Sequence, residues 1–164
     1  MNVYYATPDD ATIVCTLMHD AFAEYKHATP SSSALLETPE SIREGLNGGE
    51  KALIGMEGDE PVAMLRYVIS DDDIYFFRLS VPPENQGNGY AKKLITALEA
   101  EAKTLGKQSV SCRVRTAVDR NMVLYQRLGY ETEEIVTKNI QGIHIDVATV
   151  KKPIHSLVAE GVHV

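Results

Sequence analysis

The chain has 164 residues, a formal net charge of −7 and the composition of a globular domain. This length corresponds to one domain with a sizeable core, and the negative charge argues against a nucleic-acid partner, which usually needs a basic surface. No stretch is long and apolar enough to cross a bilayer and the N-terminus lacks a signal-peptide pattern, so we expect no membrane partner and a cytoplasmic location. Cys15 and Cys112 lie within apolar patterns, which favours inert core residues over a disulfide or a metal pair.

The N-terminal part of the sequence predicts a strand followed by an amphipathic helix. Residues 2–6 are typical of a short edge strand. Thr7-Pro8-Asp9-Asp10 then predicts a helix start, because threonine can cap, proline suits the first helical position and acids favour the positive helix end. His19 and Glu24 fall outside the apolar stripe, and we expect both to be solvated. The stripe consists of Ile13, Leu17, Met18, Ala21, Phe22 and Tyr25.

A loop, a second helix and two strands follow. Residues 26–37 contain a proline and a run of serines and predict a loop. Thr38-Pro39-Glu40 repeats the capping pattern of the first helix, and Gly48-Gly49 ends the second one. Residues 51–56 and 61–69 predict two strands joined by a hairpin turn.

The middle of the chain predicts a turn, a strand and a long helix. Asp71-Asp72-Asp73 indicates a solvated turn and not a metal site, because the side chains of chain neighbours point in different directions. Residues 74–81 are rich in aromatic and branched side chains and predict a strand, which Pro82-Pro83 ends because neither proline can donate a ladder hydrogen bond. Residues 87–105 predict a helix closed by Gly106. Its apolar stripe consists of Ala91, Leu94, Ile95, Leu98, Ala102 and Leu105.

Four charged residues of this helix are of interest. Glu99 and Lys103 are expected to form a surface ion pair that adds little stability. Lys92 and Lys93 lie in or near the first turns, where a cation opposes the helix dipole. They are either ordinary surface lysines or contacts for an anionic ligand.

The C-terminal third predicts a strand, a helix and a hairpin. Residues 109–115 alternate between apolar and polar side chains, and residues 119–128 have helical spacing. Residues 131–151 predict a hairpin that turns at Gly142. We expect a single domain over residues 1–153 and a C-terminal tail, 154–164, that is either disordered or covers a sheet edge.

The segment between strand 74–81 and the long helix has the features of an anion site. It reads Gln86-Gly87-Asn88-Gly89-Tyr90-Ala91. Glycines let the backbone approach a ligand closely, and the first turn of a helix offers unpaired N–H groups with partial positive charge. These features predict a phosphate-binding turn. Two glycines alone would also fit a tight helix entry, and a dinucleotide turn fits poorly because Lys92 stands at the third glycine position.

A wider pattern resembles a known family. Gln86-x-x-Gly89-x-Ala91, after a strand ending in Leu79-Ser80-Val81-Pro82, resembles the acetyl-coenzyme A signature of the GNAT-type N-acetyltransferases. Residues 124–131, Leu-Tyr-Gln-Arg-Leu-Gly-Tyr-Glu, resemble the second landmark of that family, a tyrosine on a helix closed by glycine and an aromatic residue. Two motifs in the right order make the resemblance specific, and it extends from about residue 3 to residue 153.

The resemblance implies a fold and a cofactor site. The implied fold is α/β (α+β), with a mixed, mostly antiparallel central sheet of about seven strands flanked by about four helices. In that family the fourth and fifth strands splay apart around the pantetheine arm of acetyl-coenzyme A, and the fourth strand ends in a bulge. Bulges re-aim backbone beside active sites, so main-chain groups at the end of this strand become ligands. The implied cofactor-binding residues are Leu79, Val81, Gln86, Gly87, Asn88, Gly89, Tyr90 and Ala91, and no metal is implied.

Tyr125 matches the family tyrosine that commonly gives a proton to the coenzyme A sulfur, and the alternative is a buried packing tyrosine. Its unperturbed pKa near 10 is close to that of a departing thiolate. The family asparagine that stands seven residues earlier is replaced by Val118. A general base is not evident on the fourth strand, so Glu24, Asp73 or a water chain could serve. Arg78 either orients an acidic substrate group or forms a structural salt bridge.

The resemblance implies an acetyl-coenzyme A-dependent N-acetyltransferase that transfers the acetyl group directly to a primary amine of a small-molecule or peptide acceptor. A homodimer is compatible with it. The alternative is a non-catalytic acyl-coenzyme A sensor or interaction module on the same fold. A third interpretation, a dinucleotide-binding oxidoreductase, is weakened by the absent third glycine. Polyamines, amino acids, aminoglycosides and protein N-termini are all candidate acceptors.

Overall fold

The computed structural model describes residues 1–27, 30 and 32–155. These residues form seven strands, in the hydrogen-bonded order β1-β2-β3-β4-β5-β7-β6, and four α-helices. The pairs β1–β2, β2–β3, β5–β7 and β6–β7 are antiparallel and β4–β5 is parallel, so the predicted mixed, mostly antiparallel sheet is confirmed. The elements are β1 Asn2–Tyr5, α1 Ala11–Phe22, α2 Pro39–Asn47, β2 Lys51–Glu57, β3 Glu60–Ile69, β4 Asp73–Ser80, α3 Tyr90–Thr104, β5 Ser109–Arg115, α4 Asp119–Arg127, β6 Glu131–Ile140 and β7 Ile143–Pro153.

The chain divides into two compact units. The first comprises Met1–Val68 and Phe76–Ala97, and the second comprises Ile69–Tyr75 and the chain from Leu98 onward. The expectation of one domain over residues 1–153 stays a prediction. The predicted tail, 154–164, falls largely on residues outside the described part of the chain. Within the described residues, no helix has both the length and the apolarity that a membrane crossing requires.

In the first unit, the predicted capping residues start both helices. The Asp10 carboxylate accepts a hydrogen bond from the Thr7 backbone N–H at 2.8 Å, and Pro8 opens a 3₁₀ turn that continues into α1. Thr38 and Ser41 cap each other at the start of α2. The apolar faces of α1 and α2 pack with residues of β2 and β3 around a core that includes Val14, Leu17, Met18, Ile42, Ile54 and Met64.

The environment of His19 differs from the prediction. This side chain was expected to be solvated, but it is half-buried and its Nε2 lies 2.9 Å from the backbone oxygen of Glu37. A carbonyl oxygen only accepts, so Nε2 carries the proton. Residues 28, 29 and 31 of the loop predicted over 26–37 lie outside the described part of the chain. Its described part contains a 3₁₀ turn, Ser33–Leu36, and this turn brings Glu37 back to α1.

In the second unit, β5 pairs with β7 over its whole length and with the first residues of β4 over three pairs, Asp73↔Ser109 to Tyr75↔Ser111. The splaying of β4 from β5 implied by the resemblance stays a prediction. The β6–β7 hairpin turns at Gln141 and Gly142, which both have positive φ, as the central residues of a type I′ turn do. The predicted hairpin at Gly142 is therefore confirmed.

Three expectations for the long helix were wrong. The helix was predicted to start at about residue 87, but it begins at Tyr90, because Gly87 and Gly89 have positive φ values. Leu105 was placed on the buried stripe, but the helix ends at Thr104 and 44% of the Leu105 surface is exposed. Glu99 was expected to pair with Lys103 on the surface. Instead it is half-buried and its carboxylate binds Lys152 Nζ at 2.9 Å and the Tyr130 hydroxyl at 2.8 Å. The i, i+4 spacing could not reveal partners that come from β7 and from the residue before β6.

Candidate acetyl-coenzyme A and acetyl-transfer residues

In the first unit, the backbone between β4 and α3 adopts a conformation that only glycine takes easily. Gly87 has a φ of +84° and Gly89 a φ of +75°. A Cβ atom added at either position would meet nothing within 4 Å, so the backbone here faces open space. The first α-helical hydrogen bond runs from the Lys93 N–H to the Gly89 oxygen at 3.1 Å, which leaves the earlier N–H groups without an intrahelical partner. The segment therefore has the shape and polarity of an anion site.

The polar side chains of this turn brace it. Gln86 Nε2 donates to the Val81 oxygen at 3.1 Å and lies 3.4 Å from a Glu24 carboxylate oxygen. Asn88 Nδ2 donates to the Asn85 oxygen at 3.0 Å, and Asn85 Nδ2 donates to the Val62 oxygen at 3.1 Å. Since these amides hold the turn in place, a ligand here would be bound chiefly by backbone N–H groups.

Tyr90 and Ala91 provide the first residues of α3. The Tyr90 hydroxyl forms a hydrogen bond with Glu57, and partial desolvation followed by this carboxylate raises the pKa of Tyr90. The Lys93 ammonium lies 5.9 Å from the centre of the Tyr90 ring. Because the Tyr90 side chain is engaged in this way, its contribution to an anion site is its backbone N–H. The glycines leave room at this turn and its backbone N–H groups are donors, which are the features that the predicted anion site requires.

The end of β4 is distorted where the resemblance implied a bulge. Arg78 has a φ of +54°, which a non-glycine residue within a strand rarely adopts. Such a conformation costs on the order of 1–3 kcal/mol and persists only where the surroundings impose it. The Ser80 hydroxyl donates to the Arg78 oxygen at 2.8 Å and is fully buried. Leu79 and Val81, the predicted main-chain ligands, flank Ser80 and are half-buried.

Two arginines and two glutamates surround this distortion. Arg66, only 4% exposed, binds Glu50 with two nitrogens, at 3.0 and 3.1 Å, and Glu37 with a third at 2.8 Å. Arg78 Nε donates to the other Glu37 oxygen at 3.1 Å, and Arg78 Nη2 donates to the Ser33 hydroxyl at 2.9 Å. The structural salt bridge considered for Arg78 is thus present.

The sequence interpretation missed Arg66. Its guanidinium also lies 5.0 Å from the centre of the Phe77 ring, so an aromatic face and two carboxylates together replace water around the buried charge. The sequence did contain a signal for this role. Arg66 lies inside the apolar run 61–69, and a charge buried in such a strand requires a partner, as was argued for Arg78. The partners, Glu37 and Glu50, lie too far away in sequence to be identified from spacing.

In the second unit, Tyr125 stands near the C-terminal end of α4. The Tyr130 N–H donates to the Tyr125 oxygen at 2.9 Å and the Gly129 N–H donates to the Gln126 oxygen at 3.1 Å, while Gly129 has a φ of +94°. These two bonds define a Schellman cap, whose usual apolar contact is made here by the Tyr125 and Tyr130 rings at 6.1 Å. The Tyr-x-x-x-Gly-Tyr landmark therefore specifies a helix end.

Side chains of the second unit surround both tyrosines. Tyr125 is 5% exposed and forms a hydrogen bond with the Cys112 thiol. Burial raises the pKa of Cys112 to about 12, and the hydrogen bond with Tyr125 offsets only part of that rise. Burial, followed by the hydrogen bond to Glu99, also raises the pKa of Tyr130. Both cysteines are free and buried, as expected.

Asp73, one of the candidate bases, is held by two structural hydrogen bonds. Both Asp73 oxygens accept hydrogen bonds, from the Ser109 hydroxyl at 2.7 Å and from the Ser111 hydroxyl at 2.6 Å. These bonds tie the start of β4 to β5, which is a structural role and was not visible in the sequence.

Among the residues that the structure describes, no group of histidine, cysteine, aspartate and glutamate side chains could hold a metal ion.

Comparisons with known proteins agree with this description. The profile of the acetyltransferase (GNAT) family matches residues 16–130. Among solved structures, smu.2055 from Streptococcus mutans is 18% identical with a TM-score of 0.80, over 94% of this chain and 100% of that one. The acetyl-coenzyme A-bound structure of yncA, a putative acetyltransferase from Salmonella typhimurium, is 15% identical with a TM-score of 0.76, over 95% of both chains.

A third similar structure is that of the ribosomal-protein-S18-alanine N-acetyltransferase from Escherichia coli. It is 16% identical with a TM-score of 0.72, over 95% of this chain and 94% of that one. At these identities the structures establish the fold alone. A comparison with curated protein sequences gives no significant match.

Proposed function

Because the chain belongs to the acetyltransferase (GNAT) family, we propose that it transfers the acetyl group of acetyl-coenzyme A directly to a primary amine. The observation that carries the cofactor assignment is the open turn with positive φ at Gly87 and Gly89, directly before a helix of 15 residues. That geometry offers several N–H donors and the positive end of a helix to one diphosphate.

In this proposal, the backbone N–H groups of residues 87–91 bind the diphosphate. Main-chain groups of Leu79 and Val81 bind the pantetheine arm. The Val81 oxygen already accepts one hydrogen bond from Gln86, and we assign the Val81 N–H as its group for the pantetheine arm. Lys92 and Lys93 are exposed and close to the same turn in sequence, where either can add charge to phosphate binding.

The chemistry requires two proton transfers. The acceptor nitrogen forms a bond to the acetyl carbon while the carbon–sulfur bond breaks; the nitrogen loses one proton and the sulfur gains one. We assign the second transfer to the Tyr125 hydroxyl, following the family resemblance. For the first transfer, Glu24 or water is favoured over Asp73, because both Asp73 oxygens already accept serine hydroxyls.

The acceptor is proposed to be a small-molecule or peptide amine, and the site of action the cytoplasm. The similar structures include a protein N-acetyltransferase, which makes a peptide N-terminus one candidate beside polyamines, amino acids and aminoglycosides. The network of two arginines and two glutamates in the first unit is internally neutral. It therefore gives no reason to prefer an acidic acceptor.

The test is coenzyme A release from acetyl-coenzyme A in the presence of a library of amines. We expect at least one amine to raise release clearly above the rate without amine, with an acetylated product of the corresponding mass. Cofactor binding without release for any amine would instead support the non-catalytic sensor. Absence of both binding and release would refute the proposal.

A further inference from the structure

The strained residue in β4 is held by contacts of its own side chain. Arg78 combines a φ of +54° with hydrogen bonds to Glu37 at 3.1 Å and to Ser33 at 2.9 Å. A positive φ persists only where surrounding contacts impose it. Both partners lie within residues 33–37, shortly before α2, so the arginine side chain ties these residues to the end of β4.

Contacts other than those with Arg78 hold Glu37 in place. Its Oε1 accepts from buried Arg66 at 2.8 Å, and its backbone oxygen accepts from His19 at 2.9 Å. The next residue, Thr38, caps α2. One of these contacts holds the Glu37 carboxylate and the other two hold the backbone at Glu37 and Thr38, and the second carboxylate oxygen receives Arg78 Nε. A rigid acceptor of this kind can select one conformation of its donor.

The charge of Arg78 is already balanced. Arg66 and Arg78 face Glu37 and Glu50, which makes two cations and two anions. Arg78 itself is 26% exposed. An arginine that binds an anionic substrate needs a guanidinium that is not already paired with a carboxylate of the protein. The Arg78 guanidinium is paired with Glu37.

We propose that Arg78 is a positioning residue whose contacts with Glu37 and Ser33 hold the left-handed backbone of β4, so that the main-chain groups of Leu79 and Val81 are aimed at the cofactor. The inference rests on the proposed acetyl-coenzyme A site. Without the two contacts, the backbone at residue 78 relaxes toward an ordinary strand, and restoring the distortion consumes part of the binding free energy.

Three variants separate this role from recognition of a substrate anion. Arg78→Ala removes the contacts but keeps a Cβ that opposes a positive φ, whereas Arg78→Gly removes the contacts and the opposition together. Arg78→Lys keeps the positive charge but cannot donate from the Nε and Nη2 positions. A positioning role is therefore rescued by glycine, and a charge-recognition role is rescued by lysine.

The readouts are the Kd for acetyl-coenzyme A by titration calorimetry and the KM values for both substrates. We expect Arg78→Ala and Arg78→Lys to weaken acetyl-coenzyme A binding by about tenfold, and Arg78→Gly to stay within about threefold of wild type. If glycine and alanine are equally impaired while lysine is normal, or if only the acceptor KM changes, the inference is wrong.

Thermal unfolding gives a second readout that needs no cofactor. Without the two contacts, residue 78 relaxes toward an ordinary strand, in which glycine is less stable than alanine. We expect Arg78→Gly to unfold at a lower temperature than Arg78→Ala, and the opposite order would show that the positive φ persists without the contacts and would overturn the inference. If wild-type protein fails to bind acetyl-coenzyme A, the proposed function fails, and this comparison still tests whether the contacts of Arg78 hold the strained backbone.

Discussion

The turn at residues 86–91 and the end of α4 are both specified by glycines with positive φ, but they use them differently. Gly87 and Gly89 leave the backbone facing open space, whereas Gly129 closes a helix over two buried tyrosine rings. In the first arrangement, an added Cβ would meet nothing within 4 Å among the described residues, and the N–H groups before Lys93 have no intrahelical partner. In the second, packing and capping account for every landmark residue. The open region therefore has the space and the helix N-terminus that the predicted ligand site requires, whereas the motif in the buried region first explains stability.

Tyr125→Phe tests whether the buried region also carries chemistry, and we expect the largest effect here. The substitution keeps the ring contact with Tyr130 and removes only the hydroxyl. If this hydroxyl protonates the departing sulfur, kcat should fall by on the order of a hundredfold with little change in acetyl-coenzyme A affinity. Steady-state kinetics with the best amine measures both. A kcat within about threefold of wild type, when chemistry limits the rate, would leave Tyr125 with a packing role alone.

Gly89→Val tests the open region. A branched side chain opposes the φ of +75° and fills the space above the N–H groups, so acetyl-coenzyme A affinity should fall at least about tenfold. Gly58→Val is the matched control, because Gly58 has a φ of +57° and equally open surroundings in the β2–β3 turn. The rise in melting temperature with acetyl-coenzyme A should disappear in the first variant and persist in the second. Equal ligand responses in the two variants would remove the turn from the cofactor site.

We expect the protein to lose stability at alkaline pH because of Cys112, which lies beside Tyr125 in the buried region. Its pKa is raised from an ordinary 9.0 to about 12 in the folded state, so above pH 9.0 the unfolded chain releases a proton that the folded chain keeps. Stability is therefore lost as pH rises through this window. Relative to Cys112→Ala, the free energy of unfolding of wild type should fall by up to about 1.4 kcal/mol per pH unit. Denaturant unfolding at pH 8 and pH 10 checks this, and a constant difference would contradict it.

Gly129→Ala should have the smallest effect and act on stability alone. An added Cβ would lie 3.5 Å from Lys152 Cε, an ordinary contact, so the cost comes from the φ of +94° and should be about 1 kcal/mol. A lower melting temperature with unchanged acetyl-coenzyme A affinity is expected. A loss of affinity comparable to that of Gly89→Val would show that the two regions do not differ in the way described.

Local patterns predicted the elements well, because caps, prolines and glycines act within a few residues. The starts of both N-terminal helices, the stop at Pro82 and the turn at Gly142 belong to this class. The same locality explains why the sequence predicted a glycine turn at residues 86–91, since its conformation is set by its own glycines, whereas anion binding there stays a prediction.

Long-range side-chain pairing was not predictable. Glu99 binds a lysine 53 positions later, and Arg66 binds a glutamate 29 positions earlier. Asp73 is held by two serines of β5, which only the parallel pairing of β4 and β5 brings into reach. Burial supplies the free-energy reason for each pair, but their identity follows from the fold and not from spacing.

A crystal structure with acetyl-coenzyme A bound would show directly whether the turn at residues 86–91 holds the cofactor. We expect diphosphate oxygens within hydrogen-bond distance of the N–H groups of Gly87, Gly89 and Ala91, with Gln86 still donating to Val81. A cofactor whose diphosphate binds elsewhere, with this turn in contact only with solvent, would contradict it.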